Sequence, residues 1–403
     1  MDNKKLLTAA GLALIKWIEE GKIVAPGPPG LVDLVRAVAL LCGSNSFENN
    51  EPVRSIARDI GEHDHYVFVL VDGMGMNLLP RFPENGFLSS HLLREISAVF
   101  PSTTAAALTV LATGRQPAEN GITGWFTHLP GFDVTSLPLR HVDRGKEGNL
   151  AKRRIHTVDI IPSNPIFRDF NRQVTIFHHK KIAEGQYARW AADGKRIKRF
   201  GDVNRTINRI SRRIKRAAAP SYTYLYLSQL DHESHKHGWD SDTVNDVLRD
   251  IDEQLSLLKE SVGSRAKIIV TADHGHINVP QEKHMELQHD DSLLRLLECP
   301  PSGESRVPIY HGRSGQERAL ADELSERWGE GFIFITPDDV EATNLYGDAP
   351  LHSLTRSRLG TYIGLSADPS AIEYIPKGKT SVGHIGMHGG LSAEEMRVPL
   401  ILA

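Results

Sequence analysis

Three short apolar runs, each stopped by an aspartate, constrain this chain more than any other feature. Tyr66-Val67-Phe68-Val69-Leu70-Val71 ends at Asp72-Gly73. Tyr222-Thr223-Tyr224-Leu225-Tyr226-Leu227 leads through Ser228-Gln229-Leu230 to Asp231. Lys267-Ile268-Ile269-Val270-Thr271 leads to Asp273-His274-Gly275. Runs that are apolar on both faces and rich in Val, Ile and Tyr are the pattern of buried parallel strands. Helical patterns fall between them, over 104–112, 204–218 and 241–259. Alternating strand and helix predicts an α/β fold, a mostly parallel central sheet with helices on both faces. Ligands of such sheets bind beyond the carboxyl ends of the strands. Asp72, Asp231 and Asp273 are therefore expected on one rim. A single strand-end aspartate is ordinarily a turn former or helix cap, and three of them point to a site.

The chain has 403 residues, enough for one large α/β domain with a real core. We read 1–403 as one domain carrying two insertions. One spans about 123–220 and contains a basic helix. The other spans about 281–381 and has its own strand-helix-strand pattern over 307–310, 319–328 and 332–336. A formal net charge of −3 gives no global pull toward nucleic acid or membrane. No apolar stretch approaches the ~18 residues of a spanning helix, so no membrane partner is expected. At the N-terminus, Lys4 and Lys5 precede an apolar run, but Lys16-Trp17-Ile18-Glu19-Glu20 continues a helical pattern and predicts an amphipathic helix, not a signal peptide. The two cysteines, Cys42 and Cys299, match no metal spacing and read as incidental thiols. A cytoplasmic location is expected.

The chemistry-bearing residues are acids and imidazoles. Asp231-His232-Glu233-Ser234-His235 sets a carboxylate and an imidazole four residues apart, on one face of a helical turn. Asp273-His274 is a second pair, and His388 stands in the turn Gly386-Met387-His388-Gly389-Gly390. With Asp72 these give six oxygen and nitrogen ligands and no thiolate. Such sets suit two divalent ions, zinc or alternatively manganese, and a pair about 4 Å apart clamps an in-line phosphoryl displacement. Phe100-Pro101-Ser102-Thr103-Thr104 reads as a loop entering a helix. A hydroxyl there meets free backbone N–H groups that favour a phosphate, although Ser102 or Thr103 capping the helix would leave the same pattern.

Asp72-Gly73, the Phe100–Thr104 block running to Leu111-Ala112-Thr113-Gly114, Asp231 with His235, Asp273-His274-Gly275 and His388-Gly389 together resemble the alkaline phosphatase superfamily. Their order and spacing are most similar to its type I phosphodiesterase/nucleotide pyrophosphatase branch. The resemblance implies that Thr104 is the nucleophile, with Thr103 as the rival. It implies that Asp231, His235 and His388 hold one metal, and that Asp72, Asp273 and His274 hold the one that activates Thr104. That branch follows its threonine with Phe-Pro-Asn-His, whose Asn donates to a phosphate oxygen. Here Ala105-Ala106-Ala107-Leu108 follows, and the donor is missing at Ala107. Arg115 is the one nearby candidate for a phosphate clamp, with helix-end solvation as its ordinary role.

The expected activity is cleavage of phosphodiester or pyrophosphate bonds in a small or nucleotide substrate. The alternatives are a phosphomonoesterase, phosphonate hydrolase or phosphomutase of the same superfamily, or a non-catalytic metal-stabilised module associated with nucleic acid. Ten basic residues between Lys195 and Arg216, with Ile207, Ile210 and Ile214 at helical spacing, predict an amphipathic helix with a basic outer face. That face is either solvated surface or a guide for polyanions, including nucleic acid. His232, His237, His276, His284 and His289 are pocket candidates. His178-His179 is expected in an exposed loop, and Trp125 with Phe126 forms either a stacking wall or insertion packing.

Overall fold

The three apolar runs lie side by side at the centre of one sheet. The computed structural model describes residues 7–81, 85–145 and 148–403. Lys4 and Lys5 lie outside the described residues, and the helix after them runs from Ala9 to Glu19. Seven strands build the central sheet. They are β1 (His65–Val71), β2 (Leu92–Ser97), β3 (Gln173–His179), β4 (Arg196–Phe200), β5 (Ser221–Leu227), β6 (Ala266–Thr271) and β7 (Arg397–Leu402). Their order across the sheet is β2-β7-β6-β1-β5-β3-β4.

β1 pairs in parallel with β5 and β6, and β3 pairs in parallel with β5 and β4. Only β7 is reversed, antiparallel to both β6 and β2. β5 is buried along its whole length and β1 along all but its first residue, which is why these strands read as unbroken apolar runs and not as alternating ones. Leu70 of β1 faces Tyr226 of β5 and Thr271 of β6. This register ends the three strands level, so the acids that follow them emerge at one height.

The helix Thr104–Thr113 is built almost entirely of small residues, and Ala105, Ala106 and Ala107 are fully buried. It stops at Gly114, whose φ of +64° is the left-handed cap that a glycine adopts without a Cβ clash. The basic helix Val203–Lys215 buries Ile207, Ile210 and Ile214 and exposes Arg205, Arg209, Arg212 and Lys215. Each buried isoleucine stabilises its attachment by about 1.5–3 kcal/mol.

The stretch 123–220 is more deeply built into the fold than an insertion. From residue 173 on it supplies β3 and β4 of the central sheet, and only its first part forms a separate three-stranded sheet over 127–143. His178 and His179 accordingly lie on β3 and not in an exposed loop. His178 is buried edge-on to the rings of Tyr224 and Tyr226. Within 281–381, a four-stranded sheet and the helix Glu317–Trp328 enclose a second small core around Leu287, Tyr310, Leu320 and Trp328. Among the described residues no helix is long and apolar enough to cross a membrane.

Candidate metal centre and active site

Five segments deliver side chains to the same rim. Asp72 follows β1, and Asp273 and His274 follow β6. Asp231 and His235 sit one turn apart on the helix Gln229–His237, which begins just after β5. The reversed strand β7 starts at this rim, so the segment preceding it carries His388 inward. β2 ends here too and feeds the loop that enters the helix at Thr104. Gly73 makes the turn possible. Its φ is +77°, and a Cβ there would lie 2.7 Å from His276 Nε2.

The structure brings all seven predicted site residues together. Ligand atoms of Asp72, Asp273 and His274 lie within 4.8 Å of one another, as do those of Asp231, His274 and His388. His274 thus stands between the two groups. His235 Nε2 is 3.3 Å from Asp231 Oδ1, so it joins the second group through that carboxylate.

Each of the three histidines is oriented in the same way. Nδ1 of His274 lies 3.0 Å from the carbonyl of Gly275, Nδ1 of His235 lies 2.7 Å from that of Gly386, and Nδ1 of His388 lies 3.0 Å from that of Ser102. A carbonyl only accepts, so each Nδ1 carries a proton and each Nε2 is directed into the site. A ring nitrogen fixed on a carbonyl is the usual outer support of a metal-binding imidazole.

The acids fit cations as well. Asp72 Oδ1 and Asp273 Oδ2 are buried and have no hydrogen-bond partner among the described residues, although buried polar atoms are nearly always paired. Burial, together with the charges of Asp231 and Asp273, pushes the Asp72 carboxyl well above its usual range. The Tyr226 hydroxyl donates to its other oxygen. Burial alone would raise Asp231, but His235 and His276 beside it hold it well below the usual carboxylate range. Crowded, orphaned carboxylates facing free Nε2 atoms match what two divalent cations would neutralise.

The Thr104 hydroxyl lies 3.2 Å from His274 Nε2 at the first turn of its helix. Neither Ser102 nor Thr103 caps that helix through its side chain. Ser102 Oγ instead donates to the Gly390 carbonyl at 2.7 Å and accepts from Gly389 N–H at 3.1 Å. It thereby ties the Thr104 loop to the His388 loop.

One pocket candidate, and two residues that sequence reasoning missed, His384 and Glu304, join the site. His276 Nε2 is 3.1 Å from Asp231 Oδ1, and burial lowers this imidazole to about 4. It is the one member of the five pocket histidines that enters the rim. His232, His237 and His289 are exposed, and His284 bonds the Val279 carbonyl. The His384 ring lies 4.4 Å from that of His235. Glu304 reaches in from the second insertion, accepts from Trp125 N–H at 2.5 Å and, chiefly through burial, is raised to about 7. No local motif marks it, because a bridge between Phe126 and Gly303 positions it. Arg140 and Arg144 lie over the rings of Trp125 and Phe126. Arg115 pairs with Glu119 and stacks on Phe47.

Fold and rim together define an alkaline phosphatase-like hydrolase. The family model described as type I phosphodiesterase / nucleotide pyrophosphatase matches residues 66–391, and the chain belongs to that family. A search of curated proteins returned no match. Among solved structures, the murine ectonucleotide pyrophosphatase / phosphodiesterase 5 aligns with a TM-score of 0.61 at 16% identity, over 83% of this chain and 87% of that one. An inactive variant of that enzyme in complex with AMP aligns equally well, at 17% identity over 83% and 87%. Phosphonoacetate hydrolase from Sinorhizobium meliloti 1021, in complex with phosphonoacetate, aligns with a TM-score of 0.61 at 16% identity, over 84% and 89%. The chain is thus a hydrolase of the phosphodiesterase/pyrophosphatase kind.

Proposed function

We propose that this protein hydrolyses phosphodiester or pyrophosphate bonds of a small or nucleotide substrate through a phospho-threonine intermediate on Thr104. The observation that carries the reading is the Thr104 hydroxyl, at a helix entry and 3.2 Å from His274 Nε2. Asp72, Asp273 and His274 would hold one divalent cation, and Asp231, His235 and His388 the other. Zinc fits these ligands, with manganese as the alternative. Such ions, when bound, supply Lewis-acid charge compensation and lower the pKa of a neighbouring hydroxyl.

The protein's own part is positioning. Thr104 gives its hydroxyl proton to solvent as Oγ1 attacks phosphorus in line; an Oγ1–P bond forms, and the leaving oxygen departs with the P–O electron pair and takes a proton from water. Water then displaces Thr104 from phosphorus in a second in-line step, and the proton it releases restores the threonine hydroxyl. The free N–H groups at the helix entry face the phosphoryl oxygens. Residence in the cytoplasm belongs to the same proposal, supported by two free cysteines. So does guidance of polyanions by the exposed arginines of Val203–Lys215, which salt sensitivity on large substrates alone would reveal.

A phosphonate hydrolase is the second reading. The branch's amide donor is replaced by Ala107, which is fully buried, and the phosphonoacetate hydrolase shares the fold over 84% of this chain. The deciding experiment is a paired turnover assay on zinc- or manganese-loaded protein. It sets bis-p-nitrophenyl phosphate against p-nitrophenyl phosphate and phosphonoacetate, with Thr104→Ala as control. Diester preference abolished by the substitution supports the first reading. Phosphonate turnover moves the function to the second, and absence of Thr104-dependent turnover on all three overturns both.

A further inference from the structure

A second group of metal-binding side chains lies away from the rim, where the segment around residue 128 meets residues 297–312. His128 comes from the strand Thr127–Leu129, and Cys299 and His311 come from the second insertion. One ligand atom from each lies within 4.8 Å of the others, against roughly 3.5 Å between ligand atoms on a tetrahedral zinc. Both imidazoles are buried, and their rings are 4.6 Å apart.

The backbone holds the three in place. Leu297 and Gly312 form an isolated bridge, and Glu298 N–H donates to the His311 carbonyl at 2.8 Å, so Cys299 and His311 lie on two segments tied together beside it. Phe126 and Gly303 exchange hydrogen bonds of 3.1 and 2.6 Å, which pins the His128 segment to the chain just after Cys299. Hydroxyls support the rings, with Thr135 Oγ1 3.2 Å from His128 Nδ1 and Ser302 Oγ 2.8 Å from His311 Nε2. Asp133 and Glu298 add negative charge felt by both His128 and Cys299.

We propose that His128, Cys299 and His311 form a third metal site, structural in role, that takes a zinc-like divalent cation. Two imidazoles and one thiolate are a borderline-soft set that suits zinc and not magnesium or calcium. Binding forms the metal–sulfur bond and releases the thiol proton to solvent. The fourth position falls to water or to Asp133 or Glu298. The ion would clamp the seam beside Trp125 and Glu304, which reach the rim from the same two segments. Sequence spacing hid this site, since its ligands come from two distant parts of the chain.

Cobalt(II) substitution of the full-length protein isolates it, because the rim contains no sulfur and Cys42 is buried in the main core. Cobalt-loaded wild type is expected to show a near-ultraviolet thiolate-to-cobalt charge-transfer band. Cys299→Ser should lose that band and one equivalent of bound zinc, while Cys42→Ser keeps both. His311→Ala should weaken the band in parallel. No charge-transfer band in cobalt-saturated wild type overturns the site, whether or not the variants fold. A band that survives Cys299→Ser overturns it equally. Rim metals and turnover are read separately, so failure here leaves the catalytic reading standing.

Discussion

Thr104 Oγ1 stands 3.2 Å from His274 Nε2, and His274 is itself fixed by a 3.0 Å contact from Nδ1 to the Gly275 carbonyl. The carbonyl holds the proton on Nδ1, so the Thr104 hydroxyl can only donate toward Nε2.

The first prediction separates the two threonines. Thr104→Ala should reduce kcat on bis-p-nitrophenyl phosphate by at least about a thousandfold, as loss of a nucleophile does. Thr104→Ser should retain part of the activity. Thr103→Ala should change kcat by less than about tenfold, since binding and positioning losses are smaller than loss of the attacking atom. Equal losses from both alanine variants would remove Thr104 from its role.

The second concerns metal removal. Without cations, Asp72 and Asp273 are buried beside each other with orphaned oxygens, a like-charge arrangement that costs stability. Asp273→Asn should therefore raise the thermal midpoint of chelator-treated protein. It should also remove the share of zinc stabilisation that this one site supplies, about 2.7 kcal/mol at a hundred times its dissociation constant, and leave that of the other sites. Melting curves with and without zinc check both. A variant that still gains the full zinc-dependent shift would show that Asp273 is not a ligand.

Much of this site was legible because strand ends announce themselves. An apolar run that stops at an aspartate fixes both the strand and the place of the acid, as for Asp72 and Asp273. Asp231 and His235 were legible through helical spacing. Residues placed by pairing between distant segments left no local sign. Glu304 depends on the Phe126–Gly303 bridge. β3 and β4 were hidden for another reason. β4 lies at the sheet edge and reads Arg196-Ile197-Lys198-Arg199-Phe200, so its charges merged with the basic helix that follows.

The third prediction is a pH dependence far from the rim. Burial lowers His178 on β3 to about 4 from an ordinary 6.5, and its Nδ1 has no hydrogen-bond partner among the described residues. The unfolded chain therefore takes up a proton at this residue as pH falls below 6.5, and the folded chain does not until about 4. Stability is lost across that window as pH falls and is regained as it rises. His178→Leu should remove about 2 kcal/mol of the stability difference between pH 7 and pH 5. Urea unfolding at the two pH values measures it, and an unchanged difference would mean that His178 titrates normally.

The fourth prediction tests what holds His388. Arg306, in the second insertion, makes a fully buried two-pronged pair with Glu395, at 2.7 and 3.0 Å. Its remaining nitrogen donates to the carbonyls of Asp368 and Ser370, at 3.0 and 2.8 Å. Glu395 in turn accepts from the N–H groups of Gly390 and Ser392, at 2.8 and 3.1 Å, just past His388. Burial works against its charge, but Arg306 and these donors hold the carboxyl below its usual range. Arg306→Met would strand that carboxylate and should cost about 3–5 kcal/mol. Arg306→Met with Glu395→Gln should cost clearly less than the single change, because no buried charge is left unpaired. The double variant should still bind zinc more weakly, since Gly390 then loses its charged acceptor and the His388 turn is held mainly by Ser102. Unfolding and zinc titration of the pair separate these effects. Wild-type zinc affinity in the double variant would show that the His388 loop is held by Ser102 alone.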